Sequence, residues 1–162
     1  GRGEPKIILS RKDSGLVAKL FELSTPELED GTIEIVKIVR EPGFKTKIIV
    51  ASEFEEVDPA GALIGPKGIR VKAVVEELSG EKVDVINYTD NARELVAQAL
   101  NPARILDVQF DEEGVAVVSV PKSEEVRAIG RSGGNVRLAE QLTGYRIRLV
   151  GVEEEGGEVS PQ

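Results

Sequence analysis

Apolar and polar positions along this chain change period several times, and the changes come twice in the same order. Residues 6–10 read as a short strand with no preceding partner. Leu16, Val17, Leu20, Phe21 and Leu23 then suggest the apolar face of a helix, with Ser14 as its N-cap. Pro26, Asp30 and Gly31 interrupt it. Two β-rich runs, 32–40 and 45–51, flank Pro42-Gly43, an order that suits a type II turn. The acidic stretch 53–58 is a loop, and Asp58-Pro59 opens a helix with a capping carboxylate and a proline at the first helical position. That helix ends at Ile64. A second one carries Val71, Val74, Val75 and Leu78 at the spacing of one buried face and stops at Ser79-Gly80. Residues 82–88 form the next strand.

The second half repeats this plan. Asp90 is expected to cap a helix with Ala92, Leu95, Val96 and Ala99 on one side. Strands follow at 104–110, with Leu106, Val108 and Phe110 alternating, and at 115–120, joined by a turn at 111–114. A short helix ends at Ile129, another holds Val136, Ala139 and Leu142, and 146–150 is the last strand. Ile64-Gly65-Pro66-Lys67-Gly68 matches Ile129-Gly130-Arg131-Ser132-Gly133, and Leu78-Ser79-Gly80 matches Leu142-Thr143-Gly144. Each half therefore reads helix–strand–strand–helix–glycine loop–helix–strand, an α+β duplication.

A Gly-x-x-Gly break between two helices is a candidate phosphate site. Glycine lets another backbone approach closely, and the helix that follows directs its first N–H groups and positive dipole end at the loop. One such loop suits any anion; two suit a polyanion. A dinucleotide-binding fingerprint is excluded, because the leading Gly-x-Gly is missing and a helix precedes the loop. A P-loop fails for want of a following Gly-Lys-Ser/Thr.

Composition narrows the chemistry further. The 162 residues include no Cys, His, Met or Trp, so thiol, imidazole and the usual zinc chemistry are excluded. No enzyme activity and no cofactor or metal are expected. The missing Met at position 1 suggests an excised fragment. No apolar run reaches the roughly 18 residues of a membrane span, and no signal peptide is evident. The chain is expected in the cytoplasm, without a membrane partner and as a monomer.

The net charge of −8 opposes nucleic-acid binding at long range. Locally the sign reverses: residues 65–72 hold Lys67, Arg70 and Lys72 and residues 127–137 hold Arg127, Arg131 and Arg137, with no acid in either stretch. Screening over about 8–10 Å leaves a phosphate there to feel mainly its neighbours. The six aromatics never cluster on one strand, which disfavours sheet-stacking RNA folds and favours a KH domain, whose glycine loop and aliphatic groove clamp about four nucleotides. Ile64, Val71 and Val85 would line that groove.

These segments, together with Arg40-Glu41-Pro42-Gly43-Phe44-Lys45-Thr46-Lys47, Asp58-Pro59-Ala60-Gly61 and the stretches 77–84, 99–103 and 128–139, resemble the NusA family of bacterial transcription elongation and termination factors. The resemblance implies two tandem type II (prokaryotic) KH domains, each α-β-β-α-α-β with a three-stranded sheet packed against helices, docked as one RNA-binding surface. It implies contact with single-stranded RNA, the nascent transcript, and association of the full-length protein with RNA polymerase and other elongation factors in termination and antitermination. The implied RNA-binding residues are Ile64, Gly65, Pro66, Lys67, Gly68, Arg70 and Lys72 in the first domain. In the second they are Gly130, Arg131, Ser132, Gly133, Asn135 and Arg137. Residues 1–12 are expected to be a remnant strand of an OB-fold barrel, 13–88 the first KH domain with its linker helix, 89–150 the second, and 151–162 a disordered acidic tail. The family's polymerase-binding domain is expected to be missing. A different reading of the same residues is a protein-interaction scaffold in which the acidic surface matters more than the loops.

Overall fold

A computed structural model describes residues 12–154. The expected strand at 6–10, the barrel remnant and most of the acidic tail lie outside the described residues. The chain divides into two compact units, the first ending at Tyr88 and the second starting at Thr89.

In the first unit, helix α1 (Lys12–Ser24) and a single turn, α2 (Pro26–Glu29), precede strands β1 (Glu34–Glu41) and β2 (Lys45–Ala51). Helices α3 (Pro59–Ile64) and α4 (Ile69–Glu77) then lead to β3 (Lys82–Asn87). The sheet order is β1-β2-β3, with β1 antiparallel and β3 parallel to β2. The parallel pair exists because α3 and α4 make the crossover that a parallel connection needs. Pro42-Gly43 turns the β1–β2 hairpin, with Phe44 N–H donating to Glu41 O and Gly43 at the positive φ of +83° that a type II turn requires. Val17, Phe21, Ile33, Ile48, Val50, Leu63 and Val74 form the core between sheet and helices.

Helix α1 corrects two expectations. Its inward stripe is Ser14, Val17, Ala18 and Phe21, whereas Leu16 and Leu23 are exposed, Leu23 at 78%. Leu16 and Leu23 are seven residues apart and share a face of their own, about 100–120° around the helix from Val17. Ser14 lies inside the helix and is no cap. Strand β1 starts later than expected, since Thr32 N–H and Oγ1 both donate to Asp30 Oδ1 in a turn.

The second unit repeats the order: α5 (Ala92–Ala99), β4 (Asp107–Phe110), β5 (Ala116–Pro121), α6 (Glu125–Ile129), α7 (Gly134–Thr143) and β6 (Ile147–Val152). Its sheet is β4-β5-β6, again antiparallel then parallel. Asn91, not Asp90, caps α5, its Oδ1 accepting from Glu94 N–H at 3.1 Å. Strand β4 is shorter than expected and leaves Leu106 exposed. Strand β6 outlasts its expected end at Val150, because Gly151 and Val152 still pair with Val120 and Pro121. Just beyond it Glu154 accepts two hydrogen bonds from Arg104, at 2.7 and 3.0 Å, so the tail begins later than residue 151. Phe110 and Tyr145, distant in sequence, meet with ring centroids 4.9 Å apart.

Candidate nucleic-acid interface

Each loop is set up by the helix before it. Asp58 caps α3 by accepting from Gly61 N–H at 3.1 Å, and Pro59 occupies the first turn, where no N–H is needed. The helix stops at Gly65, whose φ of +82° and ψ of 165° are closed to other residues. Lys67 (φ 56°, ψ 24°) and Gly68 (φ 77°, ψ 15°) are left-handed, and α4 begins at once. The second loop reproduces this backbone to within a few degrees: Gly130 at 79° and 171°, Ser132 at 54° and 31°, Gly133 at 76° and 11°. Two stretches of different sequence thus take one conformation.

The glycine amides are already bonded within the loops. Gly65 N–H donates to Gly61 O and Gly68 N–H to Gly65 O, both at 2.9 Å. Gly130 and Gly133 do the same with Val126 O and Gly130 O, at 2.9 and 3.1 Å. The loops are therefore pre-organised turns that present the side chains at their tips outward.

Pro66, Lys67, Arg131 and Ser132 are exposed at the loop tips, and Gly68 and Gly133 are partly covered. Lys72 and Arg137, at equivalent positions one turn into the following helices, are also exposed. An added Cβ on Gly68 would come 3.8 Å from Lys72 Cε, and one on Gly133 would come 3.7 Å from Arg137 Nη1. Arg137 Nη1 also donates to Ser132 O at 3.2 Å, bracing the second loop. Each second glycine thus has a cationic side chain alongside. Ile64, Val71 and Val85 are half-buried, as an aliphatic groove wall requires.

Arg70 and Asn135 behave differently. Arg70 Nη1 lies 2.8 Å from both Glu27 Oε1 and Ala62 O. Asn135 is buried, and its Nδ2 donates to Ala128 O at 2.9 Å and Leu100 O at 3.1 Å. Asn135 faces the interior. Glu27 also brings an acid to a region whose own sequence holds none. Sequence reading missed Ile69 and Ile129, which flank the loops and are exposed at 61% and 40%. Only their positions next to the glycines could have flagged them.

The NusA-like first KH domain matches residues 11–88, and the NusA-like second KH domain matches 92–156. This chain belongs to the NusA family, as a tandem pair of its KH domains. The transcription termination/antitermination protein NusA of Bacillus subtilis is 46% identical over 146 residues, covering 90% of this chain and 39% of that protein. Its namesake in Mycobacterium tuberculosis strain H37Rv is 46% identical over 153 residues (93% and 44%), and that of Thermus thermophilus 42% over 146 (90% and 38%). The chain thus spans about two fifths of the length of these relatives. The crystal structure of APE1850 shares the fold, with a TM-score of 0.55 at 22% identity, covering 82% of this chain and 96% of that one. The KH assignment accounts for the α-β-β-α-α-β order of both units and for a glycine loop in the same place in each.

Among the described residues no group of His, Cys, Asp and Glu side chains is arranged to hold a metal ion. No described helix is long and apolar enough to cross a membrane.

Proposed function

We propose that this chain binds single-stranded RNA, with the sugar–phosphate strand passing over its two Gly-x-x-Gly loops, as part of a transcription termination and antitermination factor. The observation that carries this reading is the shared backbone of the two loops, each with an exposed cation one turn beyond its second glycine. Since the glycine amides are already bonded within the loops, affinity comes from Lys67, Lys72, Arg131 and Arg137 at the backbone. The aliphatic wall of Ile64, Val71 and Val85 supports the bases. Pro66 and Ser132 shape the loop tips, and the glycines let the strand approach.

The RNA is the nascent transcript, and RNA polymerase and other elongation factors are partners of the longer protein in the cytoplasm; the piece described here acts as a monomer. No catalytic step is assigned to it. The division into domains at residues 13–88 and 89–150, following the end of a barrel, belongs to the same proposal.

The test is filter binding of a short single-stranded RNA by the chain and by Gly68→Asp and Gly133→Asp. An added Cβ at either glycine meets nothing closer than 3.7 Å, and aspartate tolerates the left-handed conformation, so both variants keep the fold. Each carboxylate would sit where a phosphate must pass. Retention falls in each variant and is lost in the double variant. Unchanged retention would instead support a protein-docking scaffold, the reading that the net charge of −8 favours.

A further inference from the structure

Arg70 and Asn135 hold equivalent positions with different chemistry, each five residues after the first glycine of its loop. Both pack directly over that glycine. A Cβ on Gly65 would come 2.7 Å from Arg70 Cγ, and one on Gly130 would come 2.6 Å from Asn135 Cβ. Both side chains then turn back to a carbonyl in the last turn of the helix before the loop, Ala62 O or Ala128 O.

Those carbonyls need an outside donor. A helical carbonyl is normally met by the N–H four residues on. For Ala62 that residue is Pro66, which has no N–H. For Ala128 it is Ser132, which lies beyond the helix end with a left-handed backbone. The second helix of each pair therefore caps the first across the loop. Arginine does so from a partly exposed position, anchored by Glu27 at 2.8 Å, and asparagine does so from the interior, anchored by Leu100 O.

We infer that Arg70 and Asn135 are positioning residues that fix the angle between the helices on either side of each RNA-binding loop, and that neither touches RNA. This rests on the RNA-binding reading above and assigns the two residues a role within it. For Arg70 it opposes the expectation that a loop-proximal arginine is a phosphate ligand.

Salt dependence separates the roles. Removing a phosphate contact flattens the slope of log affinity against log salt by about 0.7 for a single strand. Losing position lowers affinity at every salt concentration and leaves the slope as it was. A purely structural residue lowers the melting temperature without changing the affinity of the folded protein. The experiment measures RNA affinity over a range of salt for the chain, for Arg70→Met, for Asn135→Leu and for Lys67→Ala as the phosphate-contact control. Arg70→Met and Asn135→Leu are expected to bind about tenfold more weakly with the wild-type slope, the effect of losing one well-placed hydrogen-bonded group. Lys67→Ala is expected to flatten it. A flattened slope in Arg70→Met, or unchanged affinity in both variants, overturns the inference.

Amide exchange provides a readout that does not depend on RNA. In Arg70→Met the Gly65 and Gly68 amides exchange faster than in wild type, and unchanged protection overturns the inference. If the wild-type chain retains no RNA, the function falls and this second measurement still decides the cross-loop cap. Should Asn135→Leu fail to fold, the first domain decides both measurements.

Discussion

The Arg40 guanidinium meets the Glu81 carboxylate through two hydrogen bonds of 2.9 Å, joining the β1–β2 hairpin to the start of β3. Thr46 Oγ1 and Gly43 N–H donate to the same carboxylate, at 2.6 and 3.0 Å. Three members of the segment Arg40–Lys47 that carries the family resemblance thus converge on one buried acid. Their role is to hold the hairpin.

Burial pushes the Glu81 carboxyl up, but the hydrogen bonds from Arg40, Thr46 and Gly43 outweigh it and hold it below the usual glutamate value. A depressed acid contributes stability that is complete above its unfolded value, near pH 4.3, and is lost as pH falls through its folded value. Glu81→Ala removes the one carboxylate on which Arg40, Gly43 and Thr46 converge in a buried position and is expected to cost about 3 kcal/mol at pH 7 by chemical denaturation. The difference from wild type should shrink below about pH 4.

Lys47 responds at the other end of the pH range. It is fully buried with its Nζ 2.8 Å from Asp84 Oδ2, and burial lowers its pKa to about 8 despite the pull of Asp84. Unfolded lysine titrates near 10.4, so between these values the unfolded chain binds a proton that the folded chain does not. Stability therefore rises with pH in that window, by up to about 1.4 kcal/mol per unit from this group. Denaturation of wild type and Lys47→Met from pH 7.5 to 10 should show the rise in the first and a flatter profile in the second.

The four loop glycines are expected to differ in tolerance. A Cβ on Gly130 would lie 2.6 Å from the Asn135 backbone N, and one on Gly65 would lie 2.7 Å from Arg70 Cγ, a flexible atom, and 3.0 Å from its N. Gly68 and Gly133 have room and need only a left-handed backbone. Alanine should cost about 1–2 kcal/mol at each second glycine. It should cost more than that at Gly65 and most at Gly130, in the order that thermal melts would report.

How far the sequence led is clear from these same residues. Two helix breaks, a capping Asp58 and the hairpin turn were legible because each depends on local chemistry that a few adjacent residues state outright. The direction of Asn135 was not, since it is decided by carbonyls at Leu100 and Ala128 that only the fold brings near. The Arg70–Glu27 pair spans 43 positions and leaves no local trace. In α1, leucines at 16 and 23 suggested a buried face that the smaller Ser14 and Ala18 occupy instead, because packing against the sheet selects one stripe of the helix and ignores propensity elsewhere.

Ser132 and Lys67 hold the same left-handed conformation, with φ of 54° and 56°. A lysine is therefore accommodated by this backbone, and Ser132→Lys should add to the second loop a cation at the position where the first has Lys67. The expected result is tighter RNA binding and a salt slope steeper by about 0.7, measured by filter binding at several salt concentrations.

The most direct measurement is an RNA titration followed through the backbone amide resonances of the chain. Shifts concentrated at residues 65–72 and 130–137, both absent in a Gly68→Asp, Gly133→Asp double variant that keeps its fold, are the predicted result. Shifts confined to the acidic loop at 53–58, or a spectrum that RNA leaves unchanged, would contradict the account.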